Sequence, residues 1–587
     1  MFREHKEHLQ GHLLSTLSEL PSGTRDILEQ SWAGTFRREV FERLDEKPFA
    51  VLYGEADSRP NVPVNVLFGL ETLKSGFGWT DEQMYQAYLF DLQVRYALGY
   101  EDLGDGYFAI RTVYNFRNRL SRHMQATGEN LVEQSFAQIT DEQVEAFALL
   151  TDKVRVDSTQ IASDIRLSSR LQLLVEVLGR VHRMLGELDR NQYAELLEPY
   201  IQTKASQYIY RLKRGQYGEQ MAQIGPVMQQ LLVELAAAYA EEDGYHLLVR
   251  VFGEHFVWTD TEQRPKEPTE LSAESLQSAD DPQATYRKKQ GESYRGYVSN
   301  ISETCHPDNE SQLIVKVQTE PNVADDEQML VDALPDLVDR TDVTELYTDG
   351  GYNGPDLDAA LADTPIQHRQ SAIRGGRTPD GFLGLADFEW QTDDDGQPAT
   401  LICPQGQVIA VEPGRVDQRF IARPDRDTCE ACPLLAICPM RPQGNQRTPG
   451  LYFNDRAFQV AQKRQQVTTF SQSGNLRAAV EATVRSVKQP FRHGKVLVRG
   501  LFRVSCVILT SALMVNARRL HKVVTQKQKD SDPSAPDSAF LPLFSRSATL
   551  SSAWKVAQSL GHSLTDRLTS RLVRLAQLIP AQSPMPR

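Results

Sequence analysis

Arg477, Glu481 and Lys488 stand in the stretch NLRAAVEATVRSVK with the spacing Arg-x3-Glu-x6-Lys. Far upstream, two aspartates each close an apolar alternating run, Asp157 in KVRVDST and Asp349 in TELYTDGGYNG. At ~100° per residue on a helix, the offsets from Arg477 bring Glu481 and Lys488 within roughly 40° of it, so all three share one face. Two strand-end carboxylates and a helix carboxylate flanked by cations can hold divalent metals against a phosphodiester, with positive charge remaining to grip nucleic acid. A lone strand-end aspartate is commonly a cap or turn residue. Three carboxylates in this order, with Arg and Lys partners, point instead to a metal site, and an all-carboxylate set suits magnesium.

A second cluster has the spacing Cys-x25-Cys-x2-Cys-x5-Cys, formed by Cys403, Cys429, Cys432 and Cys438. Four thiolates satisfy a tetrahedral zinc ion, and the Cys-x2-Cys pair reaches one metal from a tight turn. The run CPQGQVIAVEP reads as a small hairpin after the first cysteine. The long first gap departs from a standard finger, and simple packing of buried thiols is the alternative. Disulfides are disfavoured in a reducing cytoplasm. Cys305 and Cys506 lie in apolar runs and read as packing residues.

The elements that must position these groups follow from periodicity. Val154 and Val156 alternate with Lys153 and Arg155, which predicts a strand ending at Asp157. A long helical insertion follows, from about residue 165 to 290, with Leu171, Leu174, Val175, Leu178, Val181, Leu185 and Leu188 on one stripe and MQQLLVELAAAYAEE as a second long helix. YRGYVSNISE and SQLIVKVQTE then read as a hairpin, DEQMLVDALPDLV as a helix, and ELYTD as the strand before Asp349. The order is strand, hairpin, helix, strand, with carboxylates on the first and fourth strands.

With that block and those strands in view, the chain resembles the DDE transposases of bacterial insertion sequences, in the branch whose last catalytic block reads Tyr-x2-Arg-x3-Glu-x6-Lys. Arg477, Glu481 and Lys488 match the block, while Gly474 occupies the Tyr position, a departure that touches one contact to the cleaved strand and none of the metal ligands. Residues 62–122, GYVSNISE and LIVKVQTEPNVADDEQML are similar as well. The resemblance implies an α/β chain with a ribonuclease-H-like catalytic core over residues 151–522, interrupted by the helical insertion and by a Cys-rich insertion at about 375–450. An all-helical N-terminal DNA-binding domain would occupy residues 1–150, and a linker with a helical tail residues 523–587. It further implies cleavage at element ends and strand transfer into target DNA. Asp157 would bridge two magnesium or manganese ions, Asp349 and Glu481 would each complete one site, and Arg477, Lys488 and Arg485 would hold phosphates. The partners would be double-stranded DNA and a second copy of the chain in the DNA complex. A transposase-derived protein that binds DNA without cutting it, or a metal-dependent nuclease of the same fold, are the alternative readings.

The chain has 587 residues and a net charge of -14. That length calls for about two to four domains. An acidic total does not exclude a polyanion partner, because local charge decides where DNA sits. From Arg477 to Lys522 the basic residues Arg477, Arg485, Lys488, Arg492, Lys495, Arg499, Arg503, Arg518, Arg519 and Lys522 face a single acid, Glu481. In the N-terminal part, Val66, Leu67, Leu70 and Leu73 have helical spacing, Thr80-Asp81-Glu82-Gln83 is a capping box opening a helix through Leu92, and IRTVYNFRNRLSRH forms a third helix. That last helix carries Arg111, Asn115, Arg117, Arg119, Arg122 and His123, which fits either a helical bundle with an ordinary basic surface or a helix-turn-helix-like reader with Arg117 and Arg119 toward DNA, and the resemblance favours the latter. The charged start MFREHKEHLQ lacks the form of a secretory signal, and VSCVILTSALMVNA is shorter than the ~18 residues of a membrane span. A cytoplasmic, nucleoid-associated protein with a buried helix near Val504 is expected.

Overall fold

Cap residues divide the N-terminal part into short helices: α1 (Ser22–Gln30), α2 (Trp32–Phe36), α3 (Val64–Phe77), α4 (Asp81–Phe90), α5 (Leu92–Ala97), α6 (Arg111–Thr127) and α7 (Leu131–Ala146). The computed structural model describes residues 2–6, 15–54, 60–102, 104–166, 168–289, 291–362, 364–373, 378–393, 396–416, 418–442, 448–470 and 476–531. α4 opens on its capping box, with the Gln83 amide donating to Thr80 Oγ1 at 3.2 Å and the Thr80 amide to Gln83 Oε1 at 2.9 Å. It stops at Phe90 instead of reaching Leu92, because Asp91 accepts from the Gln93 and Val94 amides and caps α5. α3 closes at Gly78, whose φ is +68° and where a Cβ would lie 2.1 Å from the Pro490 carbonyl oxygen. Only glycine admits both the left-handed turn and that approach.

The main sheet begins with β1 (Lys153–Ala162). The helical insertion follows as α8 (Arg170–Met184), α9 (Glu187–Gln192), α10 (Ala194–Ile201), α11 (Ala205–Arg211), α12 (Tyr217–Tyr239) and α13 (Asp243–His255), then the hairpin of β2 (Phe256–Trp258) and β3 (Gln263–Pro265). Its apolar stripe packs as expected from Leu171 to Leu185 against Met221, Ile224, Leu231 and Leu248, whereas Leu188, beyond the end of α8, is 85% exposed.

The sheet resumes with β4 (Thr285–Lys289), β5 (Glu292–Thr304) and β6 (Ile314–Pro321), then α14 (Asp326–Arg340), β7 (Glu345–Thr348), α15 (Pro355–Ala362) and β8 (Gln367–Gln370). Its order is β4-β5-β1-β7-β8, with β6 also paired to β5. β5 is antiparallel to β1, β4 and β6, while β7 is parallel to both β1 and β8. β1 does not end at Asp157: β5 stays paired with it as far as Gly296, so the strand continues to Ala162. Alternation sorts β1 onto two faces. Val154 and Val156 join Leu330, Leu334, Leu346 and Leu357 in an apolar core under α14 and α15. Arg155, Asp157 and Thr159 face the other way.

The Cys-rich segment folds into an antiparallel sheet of order β13-β12-β11-β10-β9, from β9 (Glu389–Thr392), β10 (Pro398–Ile402), β11 (Val408–Pro413), β12 (Arg419–Ala422) and β13 (Leu451–Asn454), with α16 (Arg426–Glu430) between the last two. Phe388, Leu401, Ile409, Phe453 and Phe458 fill its core, the last from α17 (Asp455–Phe470). Two helices finish the described chain, α18 (Val480–Lys488) and α19 (Leu501–Ser531). By length and composition α19 could cross a membrane, yet its apolar window is 61% buried inside the protein. On one side, Asn516 pairs with the backbone of Ile314 on β6 through bonds of 2.8 and 2.9 Å. On the other, Thr510 Oγ1 donates to Ser75 Oγ at 2.8 Å, Arg518 donates to the Gly76 carbonyl, and the His521 ring bonds Thr35 at 2.9 Å.

Candidate active site

Parallel pairing sets Asp157 and Asp349 side by side. β7 pairs with Lys153–Arg155 and ends at Thr348, so Asp349 emerges next to Asp157 as β1 runs on. Asp349 caps the tight turn Gly350–Tyr352, its Oδ1 accepting from the Gly351 amide at 2.7 Å. Asp157 Oδ1 accepts from the Ser158 amide at 3.0 Å. Arg477 lies in the 3-10 turn Leu476–Ala479 that leads into α18. One of its terminal nitrogens is 3.2 Å from Asp157 Oδ1 and 3.7 Å from Asp349 Oδ2, and the other is 3.9 Å from Glu481 Oε1. The four residues singled out across the chain therefore meet around one guanidinium. Burial pushes the Asp157 carboxyl above its ordinary range, Arg477 pulls it back, and neighbouring Asp349 pushes it up again. Glu481 reaches toward solvent, with 65% of its side chain exposed.

Lys488 is turned inward: its Nζ donates to Thr159 Oγ1 at 3.1 Å and to the Gln160 carbonyl at 2.8 Å, and burial lowers its pKa. It ties the end of α18 to β1. Arg485 is exposed on the same helix, and Gly474 lies outside the described residues.

Residues that sequence reading passed over support this site from beneath. Glu303 of β5, fully buried, accepts from Arg155 Nε at 2.6 Å and from Arg519 at 2.8 Å, and the Thr483 hydroxyl of α18 donates to it. Tyr352, fully buried, donates to Asn300 Oδ1 at 2.7 Å on the opposite face of the sheet. Arg155 had a signal in the sequence: it shares the alternation of Asp157, so whatever face holds the carboxylate holds this cation too.

The thiols converge at one end of the small sheet. Cys403 follows β10 and accepts from the Gln407 amide at 3.3 Å, while Cys429 Sγ lies 3.4 Å from Gln407 Oε1. Burial pushes the Cys429 thiol up to about 11, and Cys438, Cys403 and Cys432 each add to that rise. Four thiols suit zinc and three carboxylates suit a hard cation. Among the described residues, no group of three or more His, Cys, Asp or Glu side chains stands at the spacing of a bound metal.

Of the two arginines expected to face DNA, Arg119 is exposed and Arg117 is tied into the protein. Arg117 donates to Glu71 Oε1 at 2.8 Å and to both Asp81 oxygens at 2.6 and 3.0 Å, so its guanidinium is held within the N-terminal helices. Arg119 lies over the Tyr53 ring, 4.7 Å from its centroid. The basic stripe also divides. Arg485, Arg492, Arg503 and Lys522 are exposed. Lys495 and Arg499 pair with Asp164, and Arg518 and Arg519 turn to Gly76 and Glu303.

Residues 402–521 match a family model described as a transposase DDE domain. This supports a DDE-type transposase. The matched span holds Arg477, Glu481, Lys488 and all four clustered cysteines, while Asp157 and Asp349 lie upstream of it. No curated protein and no solved structure matches the chain.

Proposed function

We propose that this protein is a transposase with a ribonuclease-H-like core, cleaving DNA at the ends of its element and joining those ends to target DNA. The observation that carries the reading is the convergence of Asp157, Asp349 and Glu481 around Arg477, at the point where β1 outruns β7. Support for the core comes from the strand order, in which β6, β5 and β1 are antiparallel neighbours and β7 and β8 follow in parallel. In this reading Asp157 would serve both of two magnesium or manganese ions, and Asp349 and Glu481 would each complete one site. The ions, when bound, lower the pKa of the attacking hydroxyl and neutralise the leaving oxygen. Arg477 keeps the three carboxylates together and presents positive charge to the phosphate, and exposed Arg485 extends that charge along α18. Cys403, Cys429, Cys432 and Cys438 would hold a structural zinc ion.

The N-terminal helices, residues 1–150, contribute DNA binding beside a catalytic domain of residues 151–522. The protein acts as a homodimer on double-stranded DNA in the cytoplasm, at the nucleoid. The test is incubation with magnesium, a target plasmid and labelled duplexes taken from the DNA flanking the reading frame. Joined products are expected. Cut but unjoined DNA would make it a nuclease, and bound, uncut DNA a protein that has lost catalysis.

A further inference from the structure

A carboxylate with no solvent exposure is costly to bury, and hydrophobic residues in its place often serve stability as well or better. Glu303 is such a residue. Its partners come from three elements: Arg155 of β1, Thr483 of α18 and Arg519 of α19. Arg519 also donates to the Thr483 hydroxyl and to the Gln312 carbonyl, and Arg155 to the Leu476 carbonyl at 2.8 Å.

The sequence positions of these partners give the network its meaning. Arg155 is two residues before Asp157 on the same face of β1, and Thr483 is two residues after Glu481. Leu476 directly precedes Arg477. The network thus grips the turn carrying Arg477 at one point and the helix carrying Glu481 at another, and ties both to the strand carrying Asp157. The apolar side of α18, Val480 and Val487, also packs inward, but apolar contact is non-directional and leaves a helix free to slide by a fraction of a turn. Hydrogen bonds to a fixed carboxylate do not.

We propose that Glu303, acting through Thr483 and Arg155, is a positioning residue that sets the register of the Glu481 helix against Asp157, and so the spacing of the metal ligands. The proposal rests on the metal-site reading given above.

The test uses the full chain with three variants, Thr483→Val, Thr483→Ser and Glu303→Gln, and Asp157→Asn as the control that removes a ligand. Mn2+ binding is followed by electron paramagnetic resonance, and cutting of the labelled flanking duplexes by single-turnover assay. Thr483→Val keeps the shape of the side chain and leaves the Glu303 pairs with Arg155 and Arg519 in place, so it remains informative even if Glu303→Gln does not fold. It should melt within about 3 °C of the parent, while Mn2+ affinity and cutting rate each fall about 10-fold or more. Duplex affinity measured without metal should not change. Thr483→Ser, which keeps the hydroxyl, should restore both. Parental Mn2+ affinity and cutting in Thr483→Val would overturn the proposal. If the parent binds Mn2+ through Asp157 but cuts nothing, the transposase reading fails, and the Mn2+ affinities alone decide the role of Glu303. If the parent shows no Mn2+ binding that depends on Asp157, both fall.

Discussion

Arg477 reaches Asp157 across 320 residues of sequence, and the nitrogen that makes this 3.2 Å contact is also 3.7 Å from Asp349. A divalent ion held by the two aspartates would compete with the guanidinium for Asp157. Replacing Arg477 with Gln should therefore lower stability, by on the order of 2 kcal/mol, because two close carboxylates lose a shared charged donor. It should also raise Mn2+ affinity, so that the melting temperature rises more on adding Mn2+ than in the parent. Cutting should fall as well, since Arg477 is the proposed phosphate contact. Melting curves with and without Mn2+ check the first two effects, and an unchanged Mn2+ response would remove Arg477 from the site.

Asp157→Asn, Asp349→Asn and Glu481→Gln should each reduce strand cleavage by at least ~100-fold while leaving duplex binding intact, since each would remove a charged ligand from the proposed metal site. Glu481 is the most exposed of them and the most informative. Near-parental cutting by its Gln variant in magnesium would show that another group completes the second metal position.

The cysteine cluster should hold close to one zinc per chain by elemental analysis, and Cys432→Ser should lower both zinc content and melting temperature. Zinc binding must overcome the burial that holds the Cys429 thiol near 11, so proton release on zinc addition is expected as well. A zinc-free preparation that is folded and active would refute the site and leave the carboxylates untouched.

Arg117 should behave as a stabilising residue. Burial raises the Asp81 carboxyl, but Arg117 and Lys74 outweigh it and hold the group at about 2, against an ordinary 3.8. Below pH 3.8 the unfolded chain takes up this proton while the native protein does not. The combined contribution of Arg117 and Lys74, roughly 2 kcal/mol, is therefore present above about pH 5 and lost progressively as pH falls toward 2. Arg117→Ala should remove most of it at pH 6 and flatten the acid dependence of urea unfolding between pH 6 and pH 3. The salt dependence of DNA binding should stay as it was. A slope reduced by about one unit would instead return Arg117 to the DNA surface.

The parts of this architecture legible in the sequence are those written in local periodicity. The alternation around Asp157, the Thr80 capping box and the stripe from Leu171 to Leu185 each depend on neighbours a few residues away. The end of β1 was not legible, because the pairing that carries it to Ala162 comes from β5, more than a hundred residues later. Charge was misleading for a related reason. Arg117, Arg518 and Arg519 look like DNA-facing cations in a linear reading, and only the folded chain brings them to Asp81, Gly76 and Glu303. The same long-range pairing hid Glu303, which reads as one polar residue in a hairpin strand.

α19 reaches back to the N-terminal helices. Ser75, Gly76 and Thr35 find their partners on it at separations of 435, 442 and 486 residues. During translation the N-terminal helices leave the ribosome long before the helix that covers them, and closing so long a loop adds entropy and delay to folding. The carboxylate site waits as well, since Arg477 and Glu481 emerge only shortly before α19. A ribosome that stops early thus releases a chain with no assembled site and an uncovered apolar face, which proteases and chaperones act on. In a chain built this way the carboxylate site is completed only once α18 has been made, after every strand of the main sheet.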